Sequence, residues 1–230
     1  MLLDILTSSD FTWEMVFGSI LASLILIFLV SPVHELSHAA AALALGDKTP
    51  KWQGRITLNP LAHIDYIGSL MILLFGFGWA KPVEVNMRNF KNPKAGMAIT
   101  ALAGPLSNFI IAFIASLFFV PVFNFCNSIY FESEKFAMIL WYFFNYFILI
   151  SISIGIFNLI PIPPLDGSRI LSSILPDKYY YQLMRYEQYS FIIFIVAFYA
   201  LGVGDFLSDV VHGIFDSFTE ISESIFGPIW

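Results

Sequence analysis

Two histidines and a glutamate in the first apolar run have the types and spacing of a helical metal-binding motif. His34, Glu35 and His38 form the sequence H-E-x-x-H. Residues four apart lie on one face of a helix, so the two imidazoles can bind one zinc ion. Glu35 stays unliganded and close enough to act as a general base on water. Ionisable groups in an apolar run are costly and usually functional, which makes a merely hydrogen-bonded pair of buried histidines the less favoured interpretation.

A catalytic zinc site needs three protein ligands and an open position, so a third ligand must come from elsewhere in the chain. Asp166 is the candidate because it follows the proline-rich break 161–164. Prolines prevent a regular helix, and irregular backbone at membrane depth survives only beside protein or a water-filled cavity. Gly167 lets the chain turn tightly after it. The alternative is that Asp166 only caps a helix.

The remaining polar candidates give weaker signals. His63 precedes a short apolar stretch and could approach the metal site as a secondary residue. A loop-stabilising role is favoured, because buried polar groups mostly serve hydrogen bonding. Cys126 is the single cysteine, so neither an internal disulfide nor a cysteine-based zinc cage is available.

The composition predicts a membrane protein. Of the 230 residues 58% are hydrophobic and 12% are charged, whereas a soluble domain has about 25% charged residues. The net charge of −6 excludes nucleic acid as a partner, since phosphate binding requires clustered Lys and Arg.

The hydropathy pattern predicts an all-α polytopic membrane protein with about four transmembrane helices. The first apolar run, Trp13 to Leu45, is longer than the roughly 20 residues of one crossing; it is either one long tilted or kinked helix, or two helices meeting near Pro32. The other predicted crossings are Ala95 to Val120, Phe136 to Ile160 and Tyr189 to Val203.

Three shorter features complete the predicted architecture. Tyr66 to Trp79 is too short to span comfortably and is read as a re-entrant or interfacial segment. The alternation in Pro82 to Met87 predicts a short β-strand. The tail from Gly204 predicts an amphipathic surface helix. The chain is expected to be one domain, 1–230, with a core at about 13–176 and a C-terminal helix and amphipathic tail at 189–230.

The distribution of basic residues predicts the orientation. Seven of the eleven Lys and Arg residues lie between Gly46 and Ala95, and three more follow the third crossing. By the positive-inside rule both basic loops are cytoplasmic, and the N- and C-termini are outside. A full crossing at Tyr66 to Trp79 would separate the two halves of the first basic loop, so the charges favour a re-entrant segment there. His34 lies about 11 residues, or roughly 16 Å, from the inner end of its run, which implies a site inside the bilayer that opens to the cytoplasm.

Several motifs together resemble those of one protein family. Besides H-E-x-x-H, they are Gly54 to Pro60, Gly78 to Val83, Ala103 to Asn108 and Asn158 to Gly167. In this order they resemble the site-2 protease family of intramembrane zinc metalloproteases, peptidase family M50, particularly its short bacterial-type members related to the sporulation protease.

The resemblance implies a set of roles for residues of this chain. It implies one zinc ion per chain bound by His34, His38 and Asp166, catalysis by Glu35, and a role for Asn158 near the scissile carbonyl. The expected function is an intramembrane endopeptidase that cleaves transmembrane protein substrates in the lipid of a prokaryotic plasma membrane. A zinc transporter or sensor and an inactive membrane scaffold are the alternatives. The oligomeric state is not specified by the sequence.

Overall fold

The computed structural model describes residues 2–9, 11–75, 78–128, 134–176, 189 and 203–227. Within these ranges the chain is mostly helical and has no β-strand. The α-helices are α1 (Leu2–Thr7), α2 (Trp13–Ile25), α3 (Ser31–Ala44), α4 (Thr49–Trp52), α5 (Tyr66–Phe75), α6 (Pro93–Ser128), α7 (Glu134–Leu159), α8 (Asp166–Ile174) and α9 (Val203–Phe226). Single 3₁₀ turns lie at Pro60–Ala62 and Met87–Asn89.

In the described part of the chain, three helical runs are long and apolar enough to cross a membrane: Trp13–Ala44, Pro93–Asn124 and Lys135–Leu159. α6 packs against α7, while α2 packs on α7 and α3 packs on α6. The all-α membrane architecture is thus confirmed, with three crossings supported rather than the predicted four. The fourth predicted crossing, about Tyr189 to Val203, lies almost entirely outside the described residues.

The first apolar run is one continuous helix with a local distortion. A π-helical turn, Leu26–Val30, joins α2 to α3, and the Ser31 amide donates to the Leu26 carbonyl five residues earlier. Proline at position 32 has no N–H, and its ring clashes with the carbonyl four residues before it in a regular helix. A π-helical turn makes i→i+5 bonds, and here it directly precedes that proline. Of the two interpretations left open by the sequence, the single long helix is the one observed.

The predicted re-entrant segment consists of a short helix, α5, and a following stretch of chain that packs against the start of that helix. α5 is ten residues long, and the returning chain passes so close that a Cβ on Gly68 would overlap the Trp79 backbone. The Lys81 amide donates to the His63 carbonyl at 2.7 Å, which joins the two ends. We call residues 66–75 and 78–81 together the hairpin. The closeness of its two ends is compatible with the predicted re-entrant or interfacial segment.

The predicted β-strand at Pro82 to Met87 is wrong. Residues 78–86 have no regular secondary structure and Met87–Asn89 is a 3₁₀ turn. Alternating side chains predict a strand only where another strand can pair with it. Here the backbone of the segment is bound instead by side chains of other elements, among them Glu35, which accepts from the Val83 amide.

The C-terminal helix is amphipathic, as predicted. α9 packs on α6 and α7 through Val211, Phe215 and Phe218, and the Phe218 ring meets Phe113 edge-on at 5.1 Å. The opposite face is exposed and acidic. The tail therefore covers the bundle with its apolar face.

The close contact at the base of the hairpin yields a stability prediction. Gly68→Ala should destabilise the protein by about 1–3 kcal/mol, because the added methyl group overpacks against the Trp79 backbone. Gly213→Ala is the matched control: it changes a helical glycine that has open space around it and should be neutral or slightly stabilising. Thermal unfolding in detergent measures both. Equal unfolding temperatures for the two variants would contradict the tight hairpin.

Candidate metal centre

The two motif histidines project from one face of α3. His34 and His38 are one helical turn apart and both are largely buried. Their rings meet edge-on with centroids 4.7 Å apart, and both direct Nε2 to the same point. The i, i+4 spacing of the sequence motif thus produces a pair of converging imidazole nitrogens.

A tight turn after α7 delivers the third candidate ligand. The proline-rich residues 160–165 separate α7 from α8, and Asp166 is the first residue of α8. Gly167 packs against the end of α7, where a Cβ would overlap the Leu159 carbonyl. This glycine does not have positive φ, so it is needed here for close approach rather than for a left-handed turn. Because α8 begins so close to the end of α7, the Asp166 carboxylate lies beside the two histidine rings.

The three ligand atoms form a compact triangle. Asp166 Oδ2 lies 3.4 Å from His34 Nε2 and 3.2 Å from His38 Nε2, and the two Nε2 atoms are 3.0 Å apart. A tetrahedral zinc ion with ligand distances of about 2.0–2.1 Å places its ligand atoms roughly 3.3 Å from each other. These residues therefore fit a zinc ion, and in the described part of the chain they are the one group of three or more such side chains that could hold a metal.

The backbone of α6 orients one of the histidines. Nδ1 of His38 donates to the Thr100 carbonyl at 2.7 Å. A proton on Nδ1 leaves the lone pair on Nε2, which is the tautomer a metal ligand requires. The corresponding Nδ1 of His34 is buried and has no partner among the described residues.

A glycine on α6 makes this arrangement possible. A Cβ on Gly104 would overlap Nε2 of His38 and would lie 2.7 Å from Cε1 of His34. Any side chain at this position would push α6 away from α3 or displace the rings. The small residue is thus required by the metal centre itself.

The charge of the centre is matched to a cation. Burial alone would raise the pKa of Asp166, but while the two histidines are protonated, before metal binds, their hydrogen bonds and charge outweigh burial and lower the pKa well below its usual range. Asp166 is therefore held as a carboxylate, the form that ligates metal.

Glu35 lies between the ligands but faces another element. Its carboxylate is buried and Oε2 accepts a hydrogen bond from the Val83 amide at 2.9 Å. It is not among the converging ligand atoms, which leaves it free for proton transfer.

The two other sequence candidates lie in local hydrogen bonds. Asn158, in the last turn of α7, donates from Nδ2 to the Ile154 carbonyl at 3.0 Å. His63 is fully buried and its Nε2 donates to the Thr57 carbonyl at 2.9 Å. Its ligand atoms are not part of the metal group, and its contacts are those of a loop-stabilising residue.

Sequence reasoning missed the backbone contributions to the site. The Thr100 carbonyl and the Val83 amide carry no side-chain signal, so no residue pattern could identify them. Gly104 did carry a signal, since small residues in a spanning helix permit close approach, but the sequence alone does not say which helix comes close.

Comparison with known proteins agrees with this geometry. The chain is 38% identical over 212 residues to "Putative zinc metalloprotease YwhC" of Bacillus subtilis, covering 92% of this chain and 95% of that protein. It is 24% identical to Rip2 of Mycolicibacterium smegmatis, named in the same way, over 80% of this chain and 69% of the relative.

A more distant relative and the family model extend the match. The chain is 31% identical to "Zinc metalloprotease MJ0392" of Methanocaldococcus jannaschii, over 78% of this chain and 39% of that protein. No solved structure matches it. The model of "Peptidase family M50" matches residues 21–203, a range that includes all three candidate ligands and Glu35. This chain therefore belongs to peptidase family M50 and is a zinc metalloprotease of the membrane.

Proposed function

We propose that this metalloprotease hydrolyses peptide bonds in or near the transmembrane segments of other membrane proteins. The observation that carries the proposal is the triangle of His34, His38 and Asp166 ligand atoms, 3.0–3.4 Å apart, in which both histidines lie on a helical run long and apolar enough to span the membrane. A metal centre built into such a helix is within reach of substrates that also lie in the membrane.

The chain's own residues divide the chemistry between them. His34, His38 and Asp166 hold zinc, which when bound acts as a Lewis acid that polarises the scissile carbonyl and makes water more acidic. Glu35 removes a proton from the water that attacks the carbonyl carbon, then delivers it to the leaving amine as the C–N bond breaks. Asn158 is proposed to stabilise the developing oxyanion. To do so, its Nδ2 donates a hydrogen bond to the substrate oxygen in place of the one to the Ile154 carbonyl.

The substrate must be unwound before it can react. A transmembrane helix satisfies its own backbone groups, and unwinding it in lipid exposes them. The extended residues 81–86 offer compensation, because the backbone groups of Glu84 and Val85 have no hydrogen-bond partner among the described residues. An unwound substrate that pairs there would recover lost hydrogen bonds by strand addition.

The charge pattern supports a cytoplasmic opening in a prokaryotic plasma membrane. A re-entrant hairpin, which the hydrogen bond between its two ends supports, keeps the basic residues before and after it on one face of the membrane. The N- and C-termini then lie outside. Among the alternatives, the general base between the two ligands favours an enzyme over a transporter or an inactive scaffold.

Removing the general base tests the chemistry. Glu35→Gln should bind one zinc per chain but lose at least about 100-fold in cleavage of single-span membrane substrates, the usual contribution of such a base. Glu220→Gln changes an exposed glutamate on α9 and should cleave like the wild type. Gel-based cleavage with zinc analysis of the same samples measures both, and a fully active Glu35→Gln variant would reject the assignment.

Enlarging Gly104 tests the geometry of the centre. Gly104→Ala should weaken zinc binding by about 10–100-fold, comparable to the loss of a hydrogen bond that orients a metal ligand, because the methyl group displaces the His38 ring. Gly213→Ala is again the matched control. Competition with a fluorescent zinc chelator gives the affinity; unchanged affinity in Gly104→Ala would mean that the two helices do not meet as described.

Cysteine labelling tests the orientation. In a Cys126→Ser background, Lys48→Cys and Lys91→Cys should react with an impermeant maleimide in inside-out vesicles, whereas Ser217→Cys on α9 should react in right-side-out vesicles. Labelling of Lys48→Cys and Lys91→Cys from opposite sides would show that the hairpin is a full crossing.

A further inference from the structure

Two buried charged side chains hold the backbone of residues 81–86, which we call the extended segment. At its start is Arg55, which is 8% exposed. Its Nη1 donates to the Ala62 and Lys81 carbonyls, and its Nη2 donates to the Pro82 carbonyl at 3.1 Å. The guanidinium thereby ties the start of the extended segment to the loop before the hairpin.

At the other end is Asp47, which is fully buried. Its Oδ2 accepts from the Asn86 amide at 2.7 Å. Its Oδ1 accepts from Asn89 Nδ2 at 2.7 Å and from the Thr49 amide and hydroxyl at 3.0 and 2.6 Å. One carboxylate thus joins the end of α3 to the end of the extended segment.

The hydrogen bonding of Asp47 explains how a buried carboxylate is stable here. A buried charge is costly unless it is paired or saturated with hydrogen bonds, and four donors surround these two oxygens. Burial alone would raise the pKa of Asp47, but the hydrogen bonds from Thr49, Asn89 and the Asn86 amide outweigh it and lower the pKa. Asp47 therefore stays ionised at neutral pH and accepts hydrogen bonds permanently.

Between these two anchors the extended segment meets the general base. The Val83 amide, three residues before Asn86, donates to Glu35 Oε2 at 2.9 Å. Glu35 and Asp47 lie on and just beyond the same helix, α3. They therefore bind the extended segment at two points, one on α3 and one just after α3 ends.

We propose that Asp47 and Arg55 are positioning residues for catalysis: they fix the register of the extended segment so that the Val83 amide orients the carboxylate of Glu35. This rests on the proposed role of Glu35 as general base. A residue that acts in this way touches neither metal nor substrate. Its loss lowers the rate because small displacements of a catalytic group cost up to about 100-fold.

Hydrogen exchange resolved to single amides tests the anchor without any cleavage assay. In Asp47→Asn, exchange at Val83 and Asn86 should rise at least about tenfold, while amides of α7 should be unchanged. Asp65→Asn is the matched control, since its carboxylate accepts from the Gly68 amide at the start of α5. Unchanged exchange at Val83 in Asp47→Asn overturns the proposal even if the protein proves to be an inactive scaffold.

A double-mutant cycle tests the link to Glu35. With single-span substrates in detergent, Asp47→Asn should lower kcat about tenfold and change KM by less than about twofold. In a Glu35→Asp background the shorter carboxylate cannot reach the Val83 amide, so the same change should cost less than about twofold. If Asp47→Asn does not fold, Arg55→Lys replaces it in the cycle. Lysine keeps the positive charge but loses the two guanidinium nitrogens that bind the main chain, so it should also lower kcat more in the wild-type background than in Glu35→Asp. Equal losses in both backgrounds would show that Asp47 and Arg55 do not act through Glu35.

Discussion

The structure depends on the close contact between α3 and α6. The metal ligands on α3 can converge only if a second helix supports their rings, and α6 does so at the distance that a glycine permits. Gly104 provides the space, and the Thr100 carbonyl, one turn earlier, accepts a hydrogen bond from His38 Nδ1. The contact depends on a backbone carbonyl and on a glycine that has no side chain. A shift of α6 would therefore disturb both histidines.

The third ligand depends on the same bundle by a different route. α7 packs on both α2 and α6, and the proline-rich turn at its end directs α8 towards the histidines. Asp166 is separated from His38 by more than a hundred residues, yet its carboxylate lies 3.2 Å from the ring nitrogen. The ligand triangle is therefore a property of how the three long helical runs pack together, and not of any one segment.

Around Glu35, buried side chains bind the main chain of the extended segment. No strand of the described residues pairs with the extended segment, and four of its backbone groups are bound instead by side chains: the Val83 amide by Glu35, the Lys81 and Pro82 carbonyls by Arg55, and the Asn86 amide by Asp47. The buried charges of Asp47 and Arg55 are tolerated because each makes several hydrogen bonds to main-chain or side-chain partners. Such an arrangement leaves one stretch of backbone, at Glu84 and Val85, available to an incoming substrate.

Much of this could be predicted from the sequence, and the limits have physical causes. The apolar runs and the H-E-x-x-H spacing are local signals, so three crossings and the zinc chemistry followed from them. The π-helical turn before Pro32 was not predicted, because a proline within an apolar run is equally consistent with two helices. The strand at Pro82 to Met87 was predicted wrongly, since alternation says nothing about which groups will satisfy the backbone. The buried role of Asp47 depends on contacts with Asn86 and Asn89, and a single acidic residue after a helix gives no hint of them.

Zinc content is the most direct test of the account. Metal analysis of purified wild type, Asp166→Ala and His63→Ala, with folding checked by circular dichroism, separates the ligand set from its surroundings. The account predicts about one zinc per chain in the wild type and in His63→Ala, and loss of zinc from folded Asp166→Ala. Zinc retained in Asp166→Ala, or lost in folded His63→Ala, would contradict the assignment of the metal centre.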